Sequence, residues 1–235
     1  MLAALKRDLR SFGNPEKARI LAGFFKTGPG DYGEGDVFLG INVPVVRGVA
    51  KKHTGLPLAD IKTLLHSRMH EVRLAALLVL VEKYKLADAV GRKELFNFYI
   101  RNAKSVNNWD LVDLSAAKIV GNYLLGKSQA EKSVLARLAK SGNLWERRIS
   151  IIATYEFIRN HDFEYTFNIS RLLLKDKYDL IHKAVGWMLR EVGKRNQAAE
   201  EKFLRKHARQ MPRTALRYAI ERFTEGKRKF YLKRK

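Results

Sequence analysis

Hydrophobic residues recur at spacings of three and four along most of the chain, which is the period of an amphipathic helix. The five prolines stand at positions 15, 29, 44, 57 and 212, so residues 58–211 contain none. Asn14-Pro15-Glu16-Lys17 is typical of a helix start, with Asn14 as N-cap and Pro15 in the first turn. Pro44, Pro57 and Pro212 fit the same role. The best strand candidate, residues 37–41, is short, so the pattern predicts an all-α protein.

The predicted helices repeat along the chain. Similar stretches begin at Arg73, Asp113, Arg148 and Lys183, at offsets of 40, 35 and 35 residues. Each lies in an apolar helix preceded by a polar turn and a shorter amphipathic helix. A two-helix repeat of this length is typical of HEAT-like solenoids. We therefore expect one curved HEAT-like domain over residues 1–225, with a basic concave face, followed by a basic C-terminal tail at 226–235.

The charge narrows the class of partner. The chain has 46 Lys and Arg against 24 Asp and Glu, a net charge of +22, and residues 201–235 alone carry 13 basic and 3 acidic groups. Such an excess indicates a polyanionic partner, a nucleic acid or an anionic membrane surface. No apolar run reaches the roughly 20 residues of a membrane span, and the N-terminus does not resemble a signal peptide. We expect a cytoplasmic monomer that does not bind membranes and lies on the nucleoid when bound to DNA.

The absence of cysteine restricts the chemistry. It excludes disulfides, thiolate metal sites and a cysteine nucleophile. The six histidines are scattered along the sequence, without the spacing of an imidazole metal site. We therefore expect neither a metal nor a cofactor.

The repeat places several chemically distinctive side chains in one row. Trp109 lies four residues before Asp113 and Trp187 lies four residues after Lys183, and positions four apart share a helix face. The predicted row consists of Trp109, Asp113, Arg148, Lys183, Trp187 and Arg190. It forms either an exposed cationic surface or a core face on which the charges are paired, for example Asp113 with Arg148. Repeated charge favours the exposed surface, because unpaired buried charge is costly.

An exposed cationic row with indoles suits a nucleic acid, since Lys and Arg bind phosphates and Trp stacks on bases. The carboxylate of Asp113 is the exception, because it repels phosphate. It fits a role that requires negative charge, such as stabilising a cationic sugar while a glycosidic bond breaks or orienting the attacking water.

These residues lie in motifs that resemble the AlkD-like DNA glycosylases, HEAT-like-repeat enzymes of DNA alkylation repair. The similar segments are Asn14–Lys17, Phe38–Ile41, Trp109–Asp113, Leu144–Arg148 and Lys183–Glu191. The resemblance implies excision of positively charged N3- and N7-alkylpurines from duplex DNA. It implies Asp113 as the catalytic carboxylate, with Trp109 and Trp187 flanking the lesion nucleotide. It also implies that Arg148 contacts DNA phosphate; Lys183 and Arg190 extend this predicted DNA-binding set.

Two positions depart from the family pattern. Asn108 stands where some members have a second Trp, and Phe24 stands where some have a Tyr that touches the DNA. These two departures leave open the rate of excision and the range of lesions that are excised. Phe24 keeps an apolar face without the hydroxyl, and it remains a predicted DNA contact. The alternative function is a non-enzymatic HEAT-like module that binds damaged or branched nucleic acid. A protein-binding scaffold fits the charge less well.

Several other signals favour structural roles. Gly28–Gly33 matches G-x-G-x-x-G, but it lacks the strand–loop–helix context of a dinucleotide site and is expected to be a connecting loop. Three acidic residues in or just after it, Asp31, Glu34 and Asp36, suggest a solvated acidic segment rather than a calcium site. Trp145 is expected to pack between repeats. The histidines considered, His66, His70 and His182, are expected at the surface or partly buried.

Overall fold

The structure is a computed structural model that describes residues 1–233. The predicted all-α helical-repeat fold is confirmed. Within the described residues there is no strand, and the segment 37–41 contributes only an isolated bridge between Val37 and Met69. Internal contacts divide the chain into two compact units, Met1–Ser115 and Ala116–Lys235, where the sequence predicted one domain over 1–225.

Unit 1 is helical almost throughout. Its helices are α1 Leu2–Arg10, α2 Pro15–Phe24, α3 Val43–Lys52, α4 Leu58–Leu65, α5 His70–Leu86, α6 Ala89–Arg101 and α7 Trp109–Ala116, with a 3₁₀ turn at Ala103–Ser105. The core is built around α5, which is buried without interruption from His70 to Val81 and packs against α3 and α4. A helix that is buried on all sides cannot show a clear amphipathic stripe. Its neighbours supply the exposed polar faces.

The loop between α2 and α3 is anchored at its C-terminal end, where it also contacts the start of α2 through the Asn14 amide and the Leu39 carbonyl. Asn14 caps α2 by accepting a hydrogen bond from the Lys17 amide (2.9 Å), as predicted. The buried carboxylate of Glu71 accepts bonds from the amides of Leu39, Gly40 and Ile41, at 2.9, 2.8 and 3.1 Å. Gly40 has φ +80°, and a Cβ there would lie 2.1 Å from the Asn14 carbonyl oxygen. Glycine is therefore required at the point where this loop crosses the start of α2.

Unit 2 continues the helical repeat. Its elements are a π-turn Ala117–Gly121, α8 Asn122–Leu124, α9 Gln129–Ala139, α10 Leu144–Ala153, α11 Tyr155–Arg159, α12 Glu164–Leu173, α13 Asp179–Gly193, α14 Gln197–His207, α15 Arg213–Ala219 and α16 Glu225–Lys233, with 3₁₀ turns at Ala208–Gln210 and Ile220–Arg222. The central helix is α13, which packs against α10, α14 and α15. A Cβ at Gly186 would lie 2.4 Å from the Ala215 carbonyl oxygen, so glycine permits the close approach of α13 and α15. Trp145 is buried within this unit, which is consistent with the predicted packing between repeats.

The basic C-terminal segment is part of the fold rather than a separate tail beginning at 226. Helix α16 starts at Glu225, and Tyr231 is buried at 2% exposure against the ring of Phe223, with the centroids 5.8 Å apart. The predicted tail also includes Arg234 and Lys235, which lie outside the described residues. The buried Tyr231 anchors α16, so the cations of α16 lie on the surface of a packed helix.

The repeated positions predicted from the sequence are equivalent in the structure. Arg73 is the fourth residue of α5, and Asp113, Arg148 and Lys183 are the fifth residues of α7, α10 and α13. Helices α5 and α13 each follow a shorter helix, as predicted, whereas α7 and α10 each follow a longer one, α6 and α9. In the part of the chain that the structure describes, no helix is long and apolar enough to cross a lipid bilayer.

Candidate functional site

Helix α7 carries the aromatic ring and the carboxylate that the sequence singles out. The helix begins at Trp109, so Trp109 and Asp113 lie one turn apart on the same face, and both are half-buried. Behind them, the buried Tyr99 hydroxyl forms a 2.8 Å hydrogen bond with the Ser115 hydroxyl. Burial, and then the negative charge of Asp113, raise the pKa of the Tyr99 phenol. An indole and a charged carboxylate therefore stand side by side on α7.

Two consecutive phenylalanines fix the indole of Trp109. The ring of Phe25 is stacked on it, with centroids 5.1 Å apart and planes 11° apart. Phe24 meets the same indole edge-on at 6.0 Å and is 64% exposed, whereas Phe25 is 6% exposed. Phe24 thus offers a ring to a partner, and Phe25 positions Trp109. The sequence predicted Phe24 as a contact but missed Phe25, because only packing distinguishes the two neighbours.

Asn108 has a structural role at the start of α7. It is fully buried, and its side-chain oxygen accepts a hydrogen bond from the Trp109 amide at 2.8 Å. Its amide nitrogen donates to the Asp36 carboxylate at 3.1 Å. An indole at this position would provide neither acceptor nor matching geometry. Asn108, which departs from the family pattern, is therefore part of a local hydrogen-bond network.

That network is centred on His70, the first residue of α5. Its Nε2 lies 2.8 Å from an Asp110 carboxylate oxygen, and its Nδ1 lies 3.2 Å from an Asp36 oxygen. Both Asp36 oxygens also accept hydrogen bonds from the Arg73 guanidinium at 2.7 Å. The His70 side chain is 2% exposed and the carboxylates of Asp36 and Asp110 are each 8% exposed. Four ionisable groups are thus buried together directly behind Trp109.

The network perturbs its own protonation. Burial alone would lower the pKa of His70, but the hydrogen bonds that its ring donates to Asp110 and Asp36 outweigh burial and raise that pKa above 6.5. Burial alone would raise the pKa of Asp36, but the bonds and charge from His70 and Arg73, together with Asn108, lower it below 3.8. These directions favour an imidazolium between carboxylates. The buried network therefore consists of charged groups, in which the positive charges of His70 and Arg73 offset the negative charges of the two aspartates.

Two expectations from the sequence are wrong here. His70 is buried rather than at the surface, and Asp36 is not part of a solvated acidic segment. The remainder of that segment fits the expectation, because Glu34 is exposed and accepts a hydrogen bond from the Gly30 amide at 3.0 Å. Among the described residues, no group of three or more His, Asp or Glu side chains is arranged to hold a metal ion.

In unit 2, Arg148 is buried rather than open. It is 5% exposed, and its guanidinium donates to the Leu180 carbonyl oxygen in the first turn of α13. Arg73, at the equivalent position of α5, is 3% exposed. The expectation that the repeated charges lie on an open surface is therefore wrong for Arg148, because its guanidinium is paired inside the helix packing. The placement of Arg148 fits a residue that holds the start of α13.

Lys183 and Trp187 are more accessible. Both are half-buried on α13, and the side chain of Lys183 is 41% exposed, with its amine 2.8 Å from an Asp179 carboxylate oxygen. The indole nitrogen of Trp187 donates to the Glu191 carboxylate at 3.2 Å. Glu191 is buried, and it also binds the amine of Lys194 at 2.6 Å. The Glu191 carboxylate thus holds Trp187. Glu191 is the last residue of the K-A-V-G-W-M-L-R-E motif, but the sequence pattern did not indicate this role.

Arg190 pairs with one carboxylate and acts electrostatically on a second, buried carboxyl group. Its guanidinium pairs with the half-exposed Glu221, while its Nε is buried without a hydrogen-bond partner. The nearby Glu200 is 1% exposed, and one of its oxygens is also without a partner. Burial, and then the charge of Glu201, raise the pKa of Glu200 to about 9, against a lowering by Arg190. Glu200 is therefore neutral at pH 7. It contributes no negative charge from the core side to offset the positive charge of Arg190, which pairs with Glu221 instead.

The C-terminal helices of unit 2 carry a dense cationic surface. The exposed cations on the segments from α14 to α16 are Lys202, Arg205, Lys206, Arg209, Arg213, Arg217, Arg222, Lys227, Arg228, Lys229 and Lys233. The acidic residues beside them include Glu201, which binds Lys227, and Glu225, which lies 2.7 Å from the Lys229 amine. The excess of cations remains large after these pairs, as a surface for phosphate requires.

Comparisons with known proteins identify the family. The family model described as DNA alkylation repair enzyme matches residues 5–223. A solved structure described as a predicted DNA alkylation repair enzyme from Enterococcus faecalis has the same fold, with a TM-score of 0.71 at 18% identity, and the match covers 91% of this chain and 97% of that one. No curated protein matches the sequence significantly. The chain belongs to the DNA alkylation repair enzyme family, which gives it a role in DNA repair with DNA as its substrate.

Proposed function

We propose that the protein is a monofunctional DNA glycosylase that hydrolyses the N-glycosidic bond of positively charged N3- and N7-alkylated purines in duplex DNA. The observation that carries the proposal is the Asp113 carboxylate one turn from Trp109 on α7, in a DNA repair protein of net charge +22. A carboxylate opposes phosphate binding. Its value at such a site lies in its attraction to a cation that forms or exists during the reaction.

The alkylated purine is already cationic, so it needs no protonation to leave. The C1′–N bond breaks and its electron pair stays with the base, which departs as a neutral alkylpurine. The sugar left behind carries the positive charge as an oxocarbenium-like centre. A water oxygen then bonds to C1′ and its proton passes to solvent or to Asp113, leaving an abasic site. Asp113 lowers the barrier by stabilising the cationic sugar, by orienting that water, or by both.

The remaining residues bind and orient the DNA. Trp109 and Trp187 offer indole faces to the sugar and backbone of the damaged nucleotide, and exposed Phe24 adds an aromatic edge. Lys183 and Arg190 supply positive charge for phosphates. Arg148 contributes through its hold on α13 rather than through an open guanidinium. In this proposal Asp113 takes part in the chemistry, whereas the other residues position the DNA strand.

The direct test is release of free base. Wild-type protein incubated with methylated duplex DNA should release N3-methyladenine and N7-methylguanine, measured by chromatography. Asp113→Asn removes the charge with little change in shape and should slow single-turnover release by about 10²-fold or more, which is typical for a lost electrostatic interaction. The matched control is Asp60→Asn on α4, a half-buried aspartate outside the proposed site, which should retain release. Equal rates for wild type and Asp113→Asn would refute the assignment.

The same samples separate this proposal from the alternative, a module that binds damaged or branched DNA without excising a base. Tight, salt-sensitive binding with no release from any alkylated duplex favours the module. A borohydride-trapped protein–DNA adduct would indicate lyase chemistry through an amine and would contradict a monofunctional enzyme.

A further inference from the structure

His70 connects three separate segments of unit 1. It begins α5, its backbone amide donates to the Val37 carbonyl at 2.8 Å, and its two ring nitrogens face Asp36 in the α2–α3 loop and Asp110 in α7. The ring also packs against Phe25 and Phe38, with centroid distances of 4.8 and 4.6 Å. Nothing in the proposed chemistry uses this buried group, although it lies behind the residues that do.

We propose that His70, clamped between Asp36 and Asp110, is a positioning residue whose charged form holds the start of α7, and with it Trp109 and Asp113, in the geometry that base excision needs. The inference rests on the proposed function for its effect on catalysis. Its effect on the environment of Trp109 is independent of any activity.

The clamp needs both ring protons. An imidazolium has two N–H donors, so it can donate to both carboxylates at once. A neutral imidazole has one donor and one lone pair, which leaves Asp36 or Asp110 facing an electron pair in a buried setting. Leaving a buried carboxylate without its donor is destabilising. Asp36 keeps its bonds from Arg73 and Asn108, and Asp110 keeps the bond from the Leu111 amide, so deprotonation of His70 weakens the clamp at one carboxylate and loosens the link between the loop and the first turn of α7.

Two physical routes connect His70 to Trp109. The first is aromatic, because the ring of Phe25 contacts both, tilted against the imidazole and stacked on the indole. The second is polar, because Asp36 binds Asn108, whose side chain accepts from the Trp109 amide. Asp113 follows Trp109 by one turn, so a shift at the helix start is carried to the carboxylate.

The charges around His70 are few and all are buried. Asp36 and Asp110 favour its protonation, and Arg73, one turn along α5, opposes it through its charge while neutralising Asp36. Glu71, its neighbour on α5, is directed to the amides of Leu39, Gly40 and Ile41 instead. The hydrogen bonds to the two carboxylates prevail, which places the loss of the proton above pH 6.5.

Trp109 fluorescence tests the clamp without any catalysis. Trp145 and Trp187 are the other two indoles in the sequence, so a Trp145→Phe/Trp187→Phe background leaves Trp109 as the single reporter. Its emission should change with pH with a midpoint above 6.5, and His70→Gln should abolish the transition. His66, an exposed histidine of the same unit, provides the control, since His66→Gln should retain it. A transition that persists in His70→Gln would overturn the proposal.

Base release gives the second readout, in otherwise wild-type protein. His70→Gln should reduce single-turnover release by at least about tenfold, as small misplacements of reacting groups do, and leave DNA affinity within about twofold. The wild-type rate should fall as pH rises through the fluorescence midpoint, and the variant should lose this dependence. Asp110→Asn, which keeps the side-chain shape, should lower the rate in the same way if His70→Gln fails to fold. Wild-type rate and pH profile in a folded variant would refute the role.

The two proposals fail differently. If wild-type protein releases no base at any pH, the glycosylase proposal fails while the fluorescence transition still decides whether His70 controls Trp109. If release is normal and the transition is absent, only the positioning role fails.

Discussion

The ring of Phe25 is stacked on the indole of Trp109, with the ring centroids 5.1 Å apart and the planes only 11° from parallel, while the neighbouring ring of Phe24 is left 64% exposed. Adjacent residues of similar chemistry therefore have opposite roles. One supports the indole from inside unit 1, and the other extends the aromatic surface that the indole presents.

This difference predicts opposite effects for two alanine substitutions. Phe25→Ala removes a buried ring and should destabilise the protein by about 3 kcal/mol, measured by denaturant unfolding. Phe24→Ala should change stability by less than about 0.5 kcal/mol but weaken DNA binding about tenfold, if its ring stacks on the nucleic acid. Equal effects of the two substitutions on stability would contradict the opposite burial of the two rings.

The approach of α13 to α15 predicts a glycine requirement one residue before Trp187. A Cβ at Gly186 would lie 2.4 Å from the Ala215 carbonyl oxygen and 2.5 Å from the Tyr218 Cβ. Gly186→Ala should therefore destabilise the protein by about 1–3 kcal/mol. At Gly48, in the exposed part of α3, an added Cβ would meet nothing within 4 Å, so Gly48→Ala should be neutral or stabilise by about 0.5–1 kcal/mol. Thermal unfolding of both variants measures the contrast.

The buried carboxyl of Glu200 predicts a pH dependence of stability. Burial raises its pKa to about 9, against 4.5 in an unfolded chain, so the unfolded state loses this proton first. The stability contributed by neutral Glu200 is fully present below pH 4.5 and is lost as pH rises towards 9. Glu200→Gln should match wild type at acidic pH and exceed its free energy of unfolding at about pH 8. Glu225→Gln, at a residue whose side chain is 78% exposed, is the control and should track wild type throughout.

The cationic C-terminal helices predict a salt-dependent share of DNA affinity. Replacing the exposed Arg217 and Arg222 by Gln should reduce the slope of log K against log salt concentration by about 0.9 for each phosphate that is no longer neutralised. Lys51→Gln/Lys52→Gln removes the same charge from the exposed end of α3 and should leave the slope closer to wild type. Fluorescence anisotropy over a range of salt concentrations measures both. Identical slopes for the two variants would indicate general attraction instead of direct phosphate binding by α15 and the following turn.

Much of the fold could be predicted from local information. The three- and four-residue spacing, the proline positions and the 35–40-residue repeat predicted paired helices, and Arg73, Asp113, Arg148 and Lys183 do occupy equivalent helix positions. Helical periodicity and capping depend on residues within one or two turns, as at Asn14. Helical periodicity and capping can therefore be predicted from a sequence even when its length and charge do not identify the binding partner.

Burial was decided only by tertiary packing. Arg148 repeats the position of Lys183, yet one is 5% exposed and the other is half-buried, because the helix packed against each position differs. His70 lies 34 residues from Asp36 and 40 from Asp110, and no spacing in the sequence marks them as partners. The sequence by itself determined the helices, the repeat, the cationic character and the pairing of Trp109 with Asp113 on one helix face. Tertiary structure decided which charges face water and which are buried, since the cost of burying a charge depends on partners that only the folded chain brings together.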